Sequence, residues 1–226
     1  MVKQAEIPRV MIDTALALAA ERGWHELSWA EIAEAAKVPL AKAYQVYPSK
    51  QAILEGFSRA IDIEVLADDS LAEEWDDDSG ARDRLFDVLM RRFDALQPYR
   101  EGLGNLAYDQ ARDPLAALCS LGQLLRSMAA MLEAARVGAG GLGGSLGDAL
   151  RAKGLAGVYL ATLRVWLRDD SADMAKTMAA LDGHLRRIEG LLRRFARRPG
   201  DSEGAAAGGV PESPPGDIPG DAPEPV

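Results

Sequence analysis

Apolar residues along this chain recur at helical spacing almost throughout, and no stretch keeps the period-two alternation of a half-buried strand. The fold class expected is therefore all-α. The first helix is expected over Ile7 to Arg22, with Met11, Ala15 and Leu18 on one face and Gly23 placed to stop it. Ser28 opens the second: in Ser28-Trp29-Ala30-Glu31 the hydroxyl can accept from a free helix N–H while the Glu reaches back to the cap amide. That helix should end near Ala36, with Lys37-Val38 as the turn and Pro39 as the first residue of a third helix reaching about Val46. Pro48 interrupts, and Ser49 can cap a fourth helix carrying Ile53, Leu54, Phe57 and Ile61 on one face.

Beyond Leu66 the run DDSLAEEWDDD, residues 68–78, reads as a solvated linker or a helix start, and the first domain boundary is placed there. A helix through Leu85, Leu89 and Phe93 follows, then one from about Pro114 to Arg136. The segment GAGGLGGSLG holds six glycines in ten residues, which is costly in backbone entropy inside a helix, so a loop is expected. Two long helices close the chain, one through Leu155, Tyr159 and Trp166, the other through Leu181, Leu185, Ile188 and Leu192. From Pro199 onward, Pro, Gly, Ala and acids dominate, with too few apolar anchors to offset the entropy of ordering. The organisation expected is thus a helical unit over 1–66, a larger helical unit over 67–198 and a disordered tail over 199–226.

The net charge of −9 argues at first against a nucleic-acid partner. Its distribution alters that reading, because the tail holds six acids and no Lys or Arg, and without those charges the net value is −3. No apolar run approaches the roughly 20 residues that cross a bilayer, and MVKQAEIPRV lacks a secretory core, so a cytoplasmic location is expected. Cys119 is the single cysteine and sits in the apolar run LAALCSLGQLL, as a buried small hydrophobe would. Two histidines, His25 and His184, no metal-ligand spacing and no Gly-rich phosphate loop make an enzyme the least favoured class, and no cofactor is expected.

Short helices joined by a tight turn in the first sixty residues suggest a helix-turn-helix. The segment IAEAAKVPLAKAYQVYPSKQAIL, Ile32 to Leu54, resembles the signature of the TetR family of transcriptional regulators: an Ile-Ala core pair, a Val turn, a Tyr ending the recognition helix, an aromatic residue, then Ser-Lys. ALALAAERGW, Ala15 to Trp24, is similar to that family's first helix, and the likeness covers roughly Val10 to Phe57. The resemblance implies a homodimer that binds a palindromic double-stranded operator as a repressor and releases it when an unknown small hydrophobic ligand enters the larger domain. It further implies that Tyr44 and Lys50 touch phosphates, with Ser28 as a further phosphate candidate. Leu40, Ala41, Lys42 and Gln45 are implied to face the major groove, where Lys42 and Gln45 would read bases. Tyr47 falls at the family's core aromatic position, and Tyr108, Met128, Tyr159 and Trp166 are candidates for either pocket or core.

Family members commonly carry Ser, Gly, Thr and His where this chain has Pro39, Ala41, Lys42 and Val46. The first change removes a polar cap and Val46 removes a polar group near DNA, while Lys42 adds a charge; between Lys37 and Lys50 there are three lysines and no acids. Modest affinity or an unusual operator is expected. A second resemblance covers Leu150 to Leu192, which looks like the C-terminal domain of the lipid-binding ninth Coq protein of ubiquinone biosynthesis. Its matching features are Arg151, Leu155 to Tyr159, Thr162, Trp166-Leu167, Asp170-Ser171, Asp173, Thr177 and Leu181-Asp182. It implies an alternative, a non-enzymatic accessory protein of ubiquinone biosynthesis that carries or presents an isoprenoid membrane lipid on a TetR-like fold. The last helix bears on it, because Leu185, Ile188, Leu192 and Phe195 alternate with Arg186, Arg187, Arg193, Arg194, Arg197 and Arg198. Such a helix can lie on an anionic membrane, although an apolar stripe at this spacing is more often a packing face.

Overall fold

Every regular element among the described residues is a helix. The computed structural model describes residues 3–67, 75, 79–110, 114–137 and 144–196, with side chains described for all of these except 110, 114–119, 144–146 and 191–196. After a 3-10 turn at Gln4–Glu6, α1 spans Ile7–Arg22, α2 Trp29–Ala35, α3 Leu40–Val46 and α4 Lys50–Leu66. Then come α5 (Ala81–Leu96), a 3-10 turn at Gln97–Tyr99, α6 (Arg100–Gln110), α7 (Pro114–Ala134), α8 (Gly144–Trp166) and α9 (Ala175–Ala196). The chain divides into a body through Glu189 and a separate unit from Gly190 onward, whose described part, 190–196, continues α9 as helix.

The ends of the first helices are set by local chemistry. Gly23, at φ +85°, terminates α1 and gives its N–H to the Ala19 carbonyl. The expected capping box forms at Ser28: Glu31 N–H donates to Ser28 Oγ at 3.1 Å and Ser28 N–H to Glu31 Oε2 at 2.8 Å. α2 closes in a Schellman turn, with Val38 N–H on the Ala33 carbonyl and Lys37 N–H on the Glu34 carbonyl. That turn needs a left-handed residue, and Lys37 supplies it at φ 55° in place of the usual glycine. Pro39 is the cap rather than the first residue of α3, because its ψ of 137° is still extended. Ser49 caps α4 by accepting from Ala52 N–H.

Packing differs from the expected pattern in three places. On α1 the buried stripe is Ile7, Met11, Ile12, Ala15, Leu16 and Ala19, and Leu18 is only half-buried at its edge. α6 was not expected at all. Its sequence, REGLGNLAYDQ, offers only Leu103, Leu106 and Ala107 as a short apolar stripe and carries two glycines, yet it packs along α1 so closely that a Cβ on Gly102 would stand 2.5 Å from the Leu16 carbonyl oxygen. Tertiary contact and the absence of a side chain, not propensity, make this helix. Third, the glycine-rich loop is shorter than expected, since Gly144 to Gly147 form the first turn of α8, where helix N–H groups have no intrahelical partner anyway; residues 138–143 lie outside the described residues.

In the larger bundle, Phe93 of α5 stacks on Tyr159 of α8 at 5.4 Å between ring centroids and meets Trp166 at 5.8 Å. Met128 and Trp166 are fully buried core, whereas Tyr108 is 56% exposed. Leu181 and Leu185 of α9 are buried, and Ile188 is packed against the core. The stripe is a packing face that far; the side chains of Leu192, Arg193, Arg194 and Phe195, like that of Cys119 and the acidic segment at 68–74 and 76–78, lie outside the described residues. So does the tail from Arg197 onward. Among the described residues no helix is long and apolar enough to cross a membrane.

Candidate nucleic-acid interface

The second and third helices form a helix-turn-helix whose geometry is fixed by two residues at its corners. Trp29, the first residue of α2, donates its Nε1–H to the carbonyl of Tyr47, just past the end of α3, at 2.7 Å. Tyr47 in turn lies half-buried against α4 at Gly56, where any Cβ would collide with its ring. Burial pushes the Tyr47 hydroxyl above its ordinary pKa, which keeps it neutral. The inner anchor of α3 is Ala43, fully buried; the Ile32 and Ala33 side chains of α2 are buried likewise.

The outer face of α3 carries the expected groove residues. Leu40, Ala41, Tyr44 and Gln45 are exposed, Leu40 at 55% and Tyr44 at 63%, an unusual display for large apolar groups in a folded chain. Tyr44 is steadied by an edge-on contact with Trp29 at 6.2 Å. Lys42 is half-buried at the flank of this face, beside Val46, so it is less prominent than Gln45. Ser28 is exposed, but its hydroxyl already serves the capping box. Glu31, which completes that box and pairs with Arg22 at 3.1 Å, is pulled from 4.5 to about 2 by hydrogen bonds from the Ser28 backbone, the Ser28 hydroxyl and Arg22.

Lys50 is placed differently from the expectation of an outward phosphate ligand. Its ammonium donates to the carbonyls of Trp24 at 2.9 Å and Leu27 at 2.5 Å and sits 5.2 Å over the Trp24 ring. Desolvation lowers its pKa, with Asp109 and Glu31 opposing that shift. The lysine thus staples the start of α4 to the α1–α2 loop that presents Ser28, and one of its three N–H donors is left over. Nothing in the sequence places Lys50 against carbonyls 23 and 26 residues away.

The same loop is held from the other side by α6. Asn105 Nδ2 donates to the last carbonyls of α1, Ala19 at 2.9 Å and Ala20 at 3.0 Å, and Asp109 Oδ2 accepts the His25 N–H at 2.9 Å. Leu103, Leu106 and Ala107 of this helix help line a mainly apolar cavity of about 280 Å³, whose other walls include Leu54 of α4, Leu124 of α7, and Tyr159 and Leu163 of α8. Arg92 of α5 also reaches it. That arginine is 3% exposed and paired with Asp62, which also accepts from Ser127 Oγ at 2.5 Å. α6 therefore touches the helix-turn-helix head along one side and the cavity along the other.

A helix pair with this turn and an exposed second helix defines a helix-turn-helix DNA-binding class of fold. Residues 11–57 match the family model described as "Bacterial regulatory proteins, tetR family". Solved structures of similar fold include a TetR transcriptional regulator from Nitrosomonas europaea, at 19% identity and TM-score 0.61 over 81% of this chain and 98% of that one. Another is a TetR-family regulator from Syntrophomonas wolfei, at 15% identity and TM-score 0.58 over 84% and 98%. FadR of Thermus thermophilus, a TetR-family repressor in complex with lauroyl-CoA, aligns at 22% identity and TM-score 0.52 over 85% and 99%. No curated protein matches the sequence. The N-terminal helix-turn-helix is of the TetR type, and the chain has the fold of TetR-family transcriptional regulators.

Proposed function

We propose that this chain is a cytoplasmic transcriptional repressor that binds a palindromic operator as a homodimer and releases it when a small ligand occupies the cavity beside α6. The observation that carries the reading is the outer face of α3, where Leu40, Ala41, Tyr44 and Gln45 are exposed on a helix held rigidly from behind by Ala43, Trp29 and Tyr47. Gln45 suits bidentate contact with adenine, Leu40 and Ala41 suit the thymine methyl, and Tyr44 with the neighbouring lysines suits phosphates. Ser28 can donate its hydroxyl proton to a phosphate while its oxygen still accepts the Glu31 N–H. Lys50 contributes chiefly by holding the loop, with its remaining donor available to a phosphate. A homodimer presents two such heads to half-sites about one helical turn apart.

The cavity supports the ligand half of the reading. At about 280 Å³ it lies just below the usual range for small-molecule sites and is mostly apolar, as they are. A ligand wedged against Leu103, Leu106 and Ala107 would bear on α6, whose Asn105 and Asp109 hold the head. It shifts the equilibrium only by its different affinity for the two positions of that helix. Selection of genomic fragments by the purified protein tests the function: a few enriched fragments sharing an inverted repeat are expected, and Gln45→Ala should relax the preference at one position of each half-site while Tyr44→Phe weakens all fragments alike. Recovery of random fragments would refute the repressor assignment.

A further inference from the structure

The outer face of α3 is short of the groups that read guanine. Arg or Lys bonded to guanine O6 and N7 is the commonest specific base contact in DNA complexes. α3 has no arginine, and its single lysine, Lys42, is half-buried. The leading end of the helix is apolar instead. Leu40, its first residue, is 55% exposed, Ala41 beside it is exposed, and Tyr44, one turn on, is 63% exposed. A lone exposed leucine is ordinary on a protein surface, but these three residues adjoin on one face, opposite the buried Ala43. The patch also lies where a recognition helix meets base edges, at its N-terminal end. More than half of Leu40 is open to water in the free chain, so an apolar partner there gains by burial.

The major groove offers one apolar substituent, the C5-methyl of thymine, among edges that otherwise present donors and acceptors. We propose that α3 is a reader of pyrimidine C5-methyl groups, with Leu40 packed on one methyl in each half-site and Ala41 short enough to let the helix approach it. Gln45 contacts adenine at a neighbouring pair. Leu40 recognises the methyl and not the hydrogen-bonding edge of the base. Cytosine carrying a methyl at the same ring position therefore binds better there than unmodified cytosine, and methylation of the operator strengthens the complex. This assignment specifies the DNA of the repressor reading and rests on that reading for the presence of DNA on α3.

The test uses the full chain and a genomic fragment that it enriches, synthesised with deoxyuridine in place of thymidine at one position per half-site at a time. Uracil differs from thymine only by the missing methyl. At the position under Leu40, affinity by fluorescence anisotropy should fall about fourfold per half-site and about fifteenfold with both half-sites changed, the effect of one buried methyl each. A 5-methylcytosine–guanine pair there should bind about fourfold more tightly per half-site than cytosine–guanine, whose hydrogen-bonding edges are the same. Leu40→Ala should bring both ratios close to one, whereas Gln45→Ala should leave both as they are. Leu40 is exposed, so the variant is expected to keep its helical spectrum; should it not, the two ratios on the unaltered chain decide. An operator indifferent to uracil at every thymine, no gain from cytosine methylation, or a methyl effect that survives Leu40→Ala would each overturn the proposal. A chain that enriches no fragment overturns the repressor reading and this assignment together, whereas enrichment without a methyl effect overturns this assignment alone.

Discussion

Lys50→Met separates a structural from a purely electrostatic role for the residue that begins α4. In the folded chain its ammonium makes two charge-assisted hydrogen bonds to the Trp24 and Leu27 carbonyls and a cation–π contact with Trp24. Hydrogen bonds to charged groups contribute about 1.5–3 kcal/mol each when buried, but this group is only half-buried and water can replace much of what is lost. The cost expected is therefore about 1–2 kcal/mol, not the sum of two full bonds. Urea unfolding followed by far-ultraviolet circular dichroism, with an unchanged slope against denaturant, reads this directly. The α1–α2 loop should also loosen, so amide exchange at Trp24 to Ser28 should rise more than at Ile53 or Phe57 in α4. A Lys50→Met protein of unaltered stability, whose only change is a weaker salt dependence of DNA binding by about one unit, would show that Lys50 is an outward phosphate ligand and that the staple is of no consequence.

Gly56→Ala ordinarily stabilises a helix by about 0.5–1 kcal/mol, but here the methyl meets the Tyr47 ring, so a net loss of about 1–2 kcal/mol is expected in the same denaturation assay, and a gain would contradict the packing described. Lys37→Gly should raise stability by about 1 kcal/mol, because a left-handed non-glycine residue at the end of α2 is strained; calorimetric melting checks the sign. Glu31 has a folded pKa below its ordinary 4.5, so its contribution is fully present above pH 4.5 and is lost as pH falls through about 2. Acid titration of Glu31→Gln should accordingly show a shallower loss of stability over that window than the parent chain.

What was legible in the sequence was what is settled within a few residues. Ser28 with Glu31, Gly23, and Ser49 before α4 are local hydrogen-bonding signals, and each is found where its spacing puts it. Ile53, Leu54, Phe57 and Ile61 are buried as their period requires. What escaped depends on parts of the chain far apart. α6 exists because Gly102 allows α1 to approach and because Asn105 and Asp109 find partners more than eighty residues earlier. Its glycines read locally as breakers. The Asp62–Arg92 pair spans two helices and shows no local pattern, and Tyr108, a candidate for pocket or core under the family likeness, is 56% exposed and does not line the apolar cavity. On the candidate interface, the family likeness pointed to Leu40, Ala41, Tyr44 and Gln45, which are exposed together on α3, while the occupation of Lys50 and the flanking position of Lys42 required coordinates.

The central claim is sequence-specific DNA binding by the exposed face of α3. Fluorescence anisotropy of an enriched genomic fragment, titrated with the full chain at physiological salt against excess unrelated duplex, tests it most directly. The account predicts an affinity for the enriched fragment at least about 10³-fold above that for unrelated DNA, reduced towards the nonspecific level when Leu40, Tyr44 and Gln45 are all replaced by Ala in a protein that keeps its helical content. Equal affinity for all duplexes, or a specific preference that survives that triple replacement, would contradict it.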